Sequence, residues 1–262
     1  MHTIEDLLNR RTDLSTFLVH FTRDTQAPPA TARDNLLNIL QSRRLEARNT
    51  YGMAKSLAER FPAVADTQNT VCFTETPLEH AWMMCADIEG RTHPLSGYGL
   101  AFTKSFARIQ GVNPVWYLDI TPTGRRWLTN PVEQLRDDAV KAAIPAGAAD
   151  PDPVALARSL ILVLTPFIDQ MGNPSRIRRK EFWWEREWRH VGHLQFATTD
   201  LVVAFAPEHE HTILRDSLAG HPAYAAKTPR FVDAQWGLER MIGTLAGVPD
   251  LGPFPQLPAS DS

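Results

Sequence analysis

Apolar runs and their spacing divide the chain into six extended segments separated by amphipathic ones. Phe17-Leu18-Val19-His20-Phe21-Thr22 reads as a buried strand, preceded by a short amphipathic helix at about 3–11. Thr70-Val71-Cys72-Phe73-Thr74 is a second strand, with Pro77 beyond it lacking a donor. Gly99 to Lys104 and Pro114 to Ile120 are the third and fourth. The segment Glu181 to Arg189 is the fifth, and Asp200 to Ala206 the sixth. Between them, Thr31 to Ser42 predicts a helix capped by Thr31 or Asp34 and buried through Leu36, Leu37, Ile39 and Leu40. Leu45 to Asn49 predicts a short extended piece. Helices are also expected at Met53 to Arg60, Leu78 to Cys85, 131–144, 153–170, Pro207 to Leu218 and 234–245. The sum is a mixed α+β domain over 1–247, with a helical insertion at about 124–172 and a mobile tail over 248–262.

The fifth segment concentrates the chemistry. Glu181-Phe182-Trp183-Trp184-Glu185-Arg186-Glu187-Trp188-Arg189 carries three of the seven tryptophans. As a strand it places Trp183, Glu185, Glu187 and Arg189 on one face, and Phe182, Trp184, Arg186 and Trp188 on the other. Glu185 and Glu187 would then stand about 6–7 Å apart. Two carboxylates among aromatics either serve as catalytic acids, where a low local dielectric sharpens their effect, or pair with Arg186, Arg189 or the arginines at 176–179.

Composition narrows the classes. The 262 residues are 43% hydrophobic and 22% charged, an ordinary globular balance. A net charge of −3 argues against non-specific nucleic-acid binding, although Arg176 to Lys180 forms a local basic patch. Cys72 and Cys85 are too few for a disulfide framework or a cysteine-rich zinc site, and Cys72 reads as buried and inert. His190/His193 and His209/His211 lack a third ligand, so no metal is expected. No signal peptide or membrane span is legible, and the cytoplasm is the expected location.

Three further clusters can bind a ligand. His20 and Thr22 share a strand face and form a hydrogen-bonding pair, or His20 is a satisfied core residue. Thr74-Glu75-Thr76 ends the second strand, either exposing functional groups or forming a turn. In Arg48-Asn49-Thr50-Tyr51-Gly52, Arg48 could meet a phosphate, Asn49 an amide and Tyr51 a flat ring; the alternative is an irregular loop hinged at Gly52.

The order of these pieces resembles the bacterial abortive phage-infection AbiGi-type family. It is carried by Val-His-Phe-Thr at 19–22, Asn-Leu-Leu-Asn-Ile-Leu at 35–40, Leu-Glu-Ala-Arg-Asn at 45–49 and Val-Cys-Phe-Thr-Glu-Thr-Pro-Leu at 71–78. Gly-Tyr-Gly-Leu-Ala-Phe at 97–102, Pro-Val-Trp-Tyr at 114–117 and Trp-Glu-Arg-Glu-Trp-Arg at 184–189 continue it. That family is distantly similar to DarT-type ADP-ribosyltransferases, which implies a split mixed sheet flanked by helices and NAD as co-substrate. The resemblance implies that His20 holds NAD, with Thr22, Asn49 and Tyr51 nearby and Arg48 on the adenine side. It gives Thr74 or Thr76 the hydroxyl position, Glu187 the contact to the nicotinamide ribose and Glu185 the acceptor side. Glu187 would stabilise an oxocarbenium-like transition state.

The function implied is an NAD-dependent mono-ADP-ribosyltransferase in phage defence or a toxin. Its acceptor is open among protein, nucleic acid and small molecules. The alternative is a non-catalytic binding module on the same fold, an antitoxin or a sensor of a phage product, with a cognate toxin as partner. A weaker reading is a magnesium nuclease using Glu75, Glu185 and Glu187.

Overall fold

The computed structural model describes residues 4, 11–26, 28–88, 94–121, 127–175 and 178–248, with the side chains of 173–175 and 178–180 outside the description. The expected helix at about 3–11, the basic patch at 176–180 and the tail therefore lie wholly or largely outside the described residues.

One large sheet is built from β1 (Phe17–Phe21), β2 (Asn69–Thr74), β3 (Gly99–Thr103), β6 (Glu187–Val191), β7 (Leu201–Phe205) and β8 (Phe231–Val232). Its order is β8-β7-β3-β1-β2-β6, with Asn113–Pro114 beyond β6 and Asn49–Thr50 also on β2. Neighbours are antiparallel except β7 and β8, which run parallel, so the sheet is mixed. A second, smaller sheet pairs β4 (Trp116–Asp119) parallel to β5 (Ile168–Ser175), with Arg178–Lys180 antiparallel on the far side of β5.

Strict alternation buries both faces of the large sheet. Leu18, Phe73, Leu100, Phe102 and Ala204 turn one way, beneath Leu36 and Leu40 of α1 (Ala32–Ser42). Val19, Phe21, Ala101, Val203 and Phe205 turn the other way, against Leu78, Met84 and Met241. Thr31 caps α1 through a capping box: its hydroxyl accepts from the Asp34 amide, and the Asp34 carboxylate accepts from the Thr31 amide. The helix Lys55–Arg60 (α2) falls within the expected one. It is followed by α3 (Pro62–Gln68), which starts on a proline at its first position. Among the described residues no helix is long and apolar enough to cross a membrane.

Two expectations need correction. The region read as a helical insertion contains α6 (Thr129–Ala142), α7 (Pro153–Ala157) and α8 (Leu160–Leu164), after α4 (Ala81–Cys85) and α5 (Lys104–Ile109). The helix expected to run to residue 170 ends instead at a short 3-10 turn, Thr165–Phe167, from which β5 departs. Pro166 lacks the donor a continuing helix needs, and the parallel ladder of β4 offers Ile168 to Met171 a partner.

The tryptophan-rich segment is likewise not one strand. Phe182 to Glu185 forms a 3-10 turn closed by amide bonds from Glu185 to Phe182 and from Arg186 to Trp183. Arg186 sits at φ 50, in the left-handed region, and β6 begins only at Glu187. The break changes which way the tryptophans point. Trp188 packs against the cluster that holds Phe73 and Leu36 on one side of the sheet, whereas Trp184 packs against the cluster of Val19 and Met84 on the other. Trp183 is exposed. The chain closes with α9 (His211–Ala219) and α10 (Leu238–Ala246).

Candidate functional site

The large sheet opens between β1 and β2. β1 meets β3 at five registered positions but meets β2 at one, Val19 against Thr74. A cavity of about 490 Å³ occupies that opening, continuing beneath β6 and the loop at 46–55. His20, Thr22, Arg48, Asn49, Tyr51, Thr74, Glu185 and Glu187 all line it. Thr76 does not: its hydroxyl lies 2.8 Å from that of Thr74, behind the wall. Topology thus gathers residues spread over 168 positions of sequence into one pocket.

Glu187 and Arg189 are two apart on β6 and share its cavity face. Arg189 is 1% exposed, and each of its three side-chain nitrogens donates. Nε donates to Glu187 Oε1 at 2.8 Å, and Nη2 to Glu187 Oε2 and Asp169 Oδ2, each at 2.9 Å. Nη1 donates to the carbonyl of Pro166 at 2.7 Å. The Tyr117 hydroxyl donates to Glu187 Oε2 at 2.8 Å. Both carboxylate oxygens of Glu187 are therefore occupied, and the fork-to-fork geometry is the strong form of this pair. Asp169 belongs to β5 and Tyr117 to β4, so the network fastens the small sheet to the large one. Burial alone would lower the basicity of Arg189, but Glu187 and Asp169 outweigh it and hold the guanidinium charged. Burial and then Glu187 push the Tyr117 phenol well up, so it stays a donor.

His20, Thr22 and Thr74 are committed to backbone. His20 Nδ1 lies 2.9 Å from the carbonyl of Cys72, spanning the opening where a ladder bond is absent. The expected His20–Thr22 pair does not form, because Thr22 donates to the Ala32 carbonyl at 2.8 Å, and the chain turn after β1 brings α1 within its reach. Thr74 donates to the Glu185 carbonyl, which fixes the 3-10 turn against β2. Arg48 is held by Glu46 at 2.8 Å, both about half exposed. Burial raises the Cys72 thiol well above its usual range, with Glu187 adding to it, so the sulfur stays protonated.

Burial lowers the pKa of His20 from 6.5, opposed by the Cys72 carbonyl, and likewise that of His211, opposed by the Ala206 carbonyl. Both imidazoles are therefore neutral in the fold at pH 7. A depressed folded pKa means that the unfolded chain binds protons first, so stability is full above pH 6.5 and falls as the pH drops below it. Urea melts between about pH 6.5 and 5 should show this loss, and a His20→Gln variant should have a shallower slope there. An unchanged slope would remove His20 as a contributor.

Glu75 faces away from the cavity. It accepts from Trp188 Nε1 at 2.8 Å and pairs with Lys104 at 2.8 Å, so it cannot join Glu185 and Glu187 around magnesium. Among the described residues no group of three His, Cys, Asp or Glu side chains could hold a metal ion. Sequence reasoning did not select Asp169, Tyr117 or Arg23 as wall residues. The Glu-x-Arg spacing on a strand was the legible signal for the Glu187–Arg189 pair, and for the rest there was none, since they arrive from separate elements.

A family model described as "Putative abortive phage resistance protein AbiGi, antitoxin" matches residues 45–213. The match omits the motifs at 19–22 and 35–40 and includes those at 71–78 and 184–189. Its description overturns the expected role as an NAD-dependent mono-ADP-ribosyltransferase and points to the non-catalytic alternative, in keeping with a Glu187 whose oxygens are already taken. No curated protein and no solved structure matches the chain. Matched over more than half of its 262 residues, the chain belongs to the AbiGi family of abortive phage resistance proteins.

Proposed function

We propose that the protein is a non-catalytic binding module that serves as the antitoxin of an abortive-infection pair and holds a cognate toxin protein. The observation that carries this reading is the engagement of both Glu187 oxygens by Arg189 and Tyr117 in a largely buried network. A carboxylate so engaged would have to break bonds before it could stabilise a developing cation, which is the opposite of preorganisation. The finer fold reading that accompanies it is an ADP-ribosyltransferase-like split sheet used as scaffold, and the opening between β1 and β2 supports it.

The toxin would dock on α8. Leu162 of this helix is fully buried, while Leu160, Val163 and Leu164 stand 85%, 58% and 55% exposed. The i, i+3, i+4 spacing of those three makes them one outward apolar stripe, of the kind that marks protein contact sites. The test is co-elution of the chain with the toxin of its own defence pair. Val163→Asp should weaken the complex by about tenfold or more while the melting temperature of the isolated chain stays within about 2 °C. A complex indifferent to that change sinks the α8 interface. Release of nicotinamide from NAD by the wild type, abolished in Glu187→Gln, sinks the non-catalytic reading itself.

A further inference from the structure

We infer that the cavity between β1 and β2 binds a small organic anion, with Arg23 as the cation that receives its phosphate or carboxylate group. Four cationic side chains line the cavity: Arg23, Arg48, Lys55 and Arg189. Arg48 is held by Glu46, and Arg189 by Glu187 and Asp169. Lys55 reaches Glu59 at 3.9 Å. Arg23 has no carboxylate partner among the described residues. Its guanidinium makes a single long contact, 3.4 Å to the Tyr51 hydroxyl. A half-buried guanidinium with almost all its donors unspent is a binding group waiting for an acceptor, because arginine is rarely withdrawn from water without one.

The backbone beneath Arg23 is fixed in advance. The buried Asn35 donates from Nδ2 to the Arg23 carbonyl at 2.9 Å, which anchors the turn after β1 to α1. The positive charge is felt inside the cavity, since Arg23 is one of the groups holding His20 neutral, after burial itself. The amides of Asn38 and Asn49 also line the wall and make no side-chain hydrogen bond among the described residues, so they can add neutral donors. Of the carboxylates on the wall, Glu46 is paired with Arg48, and Asp169 and Glu187 with Arg189; Glu185 also lines it, and Met84, Leu95 and Phe182 supply apolar surface. The volume of about 490 Å³ lies in the range of small-molecule sites. An anionic head at Arg23 with a flat or apolar body is the ligand this wall fits.

Isothermal titration of the isolated full chain with phenyl phosphate, benzoate and phenol tests the inference, apart from any toxin binding. Binding of phenyl phosphate or benzoate, and not of phenol, is expected, and the two anions distinguish phosphate from carboxylate as the preferred head. Arg23→Gln should weaken that binding about tenfold or more, and Arg23→Lys less so, because the fork is lost but the charge is kept. Raising salt from about 50 to about 500 mM should weaken wild-type binding, which is readable even where Arg23→Gln fails to fold. The inference is overturned where neither anion binds, where phenol binds as well as they do, where wild-type binding is insensitive to salt, or where folded Arg23→Gln binds with wild-type affinity.

Discussion

Replacing Arg189 with methionine lowers the unfolding free energy by about 3–5 kcal/mol, the largest single loss expected from the site. Methionine fills much of the same volume, so the effect comes from what is left behind rather than from a cavity. Glu187 and Asp169 lose their shared cation in a buried setting, and the Pro166 carbonyl loses a donor. The penalty of an uncompensated buried charge exceeds that of the hydrogen bonds alone. Glu187→Gln is gentler, about 1–2 kcal/mol, because Arg189 keeps Asp169 and Pro166 and the Tyr117 hydroxyl keeps an acceptor. Urea denaturation of both variants gives the comparison. A loss below about 1 kcal/mol in Arg189→Met would show that water reaches the network and compensates it.

Gly52→Ala should cost about 2–5 kcal/mol for two reasons that a control can separate. Gly52 has φ +82, where a side chain is strained. A Cβ there would also come within 2.1 Å of the Thr165 carbonyl oxygen and 3.0 Å of that of Ile168, both backbone atoms that cannot turn aside. This contact brings Tyr51 under the Arg189 guanidinium, 5.2 Å from its ring centre, and sets the start of β5 against the 46–55 loop. Gly111 has nearly the same angle, φ +85, with nothing within 4 Å of the added carbon. Gly111→Ala should therefore show only the conformational part, about 1–2 kcal/mol. Equal losses in the two variants, measured by urea denaturation, would mean that the close approach of Gly52 to Thr165 contributes nothing.

Much of the large sheet was legible because its signals are local. Leu18, Val19 and Phe21, or Leu100 to Phe102, form short apolar runs between polar turns, and Thr31 with Asp34 announces the start of α1. Of the small sheet, β4 was legible within the expected strand at Pro114 to Ile120, but β5 was not, because it has no pattern of its own. Ile168-Asp169-Gln170-Met171 becomes a strand through its parallel pairing with β4, some fifty residues earlier. The tryptophan segment failed as a strand for a different reason. Its alternation is real, but Arg186 in the left-handed region resets the phase, so that Glu185 and Glu187 reach the cavity from a turn and a strand separately. The family's description as an antitoxin then corrected the catalytic role that the transferase resemblance had lent to Glu187.

The sequence by itself determined the α+β class, the order of most strands and the family, since these depend on periodicity and on short motifs in a fixed order. It also supplied eight residues of the pocket, from His20 to Glu187, which local spacing alone does not bring together. Only the tertiary structure decided what each of them does. Opening the sheet between β1 and β2 makes the cavity, and docking β4 and β5 beside β6 delivers Tyr117 and Asp169 to Glu187 and Arg189. The Glu187–Arg189 pair is written in local spacing, but the partners that complete the network, Tyr117 and Asp169, come from distant segments of chain and leave no trace there.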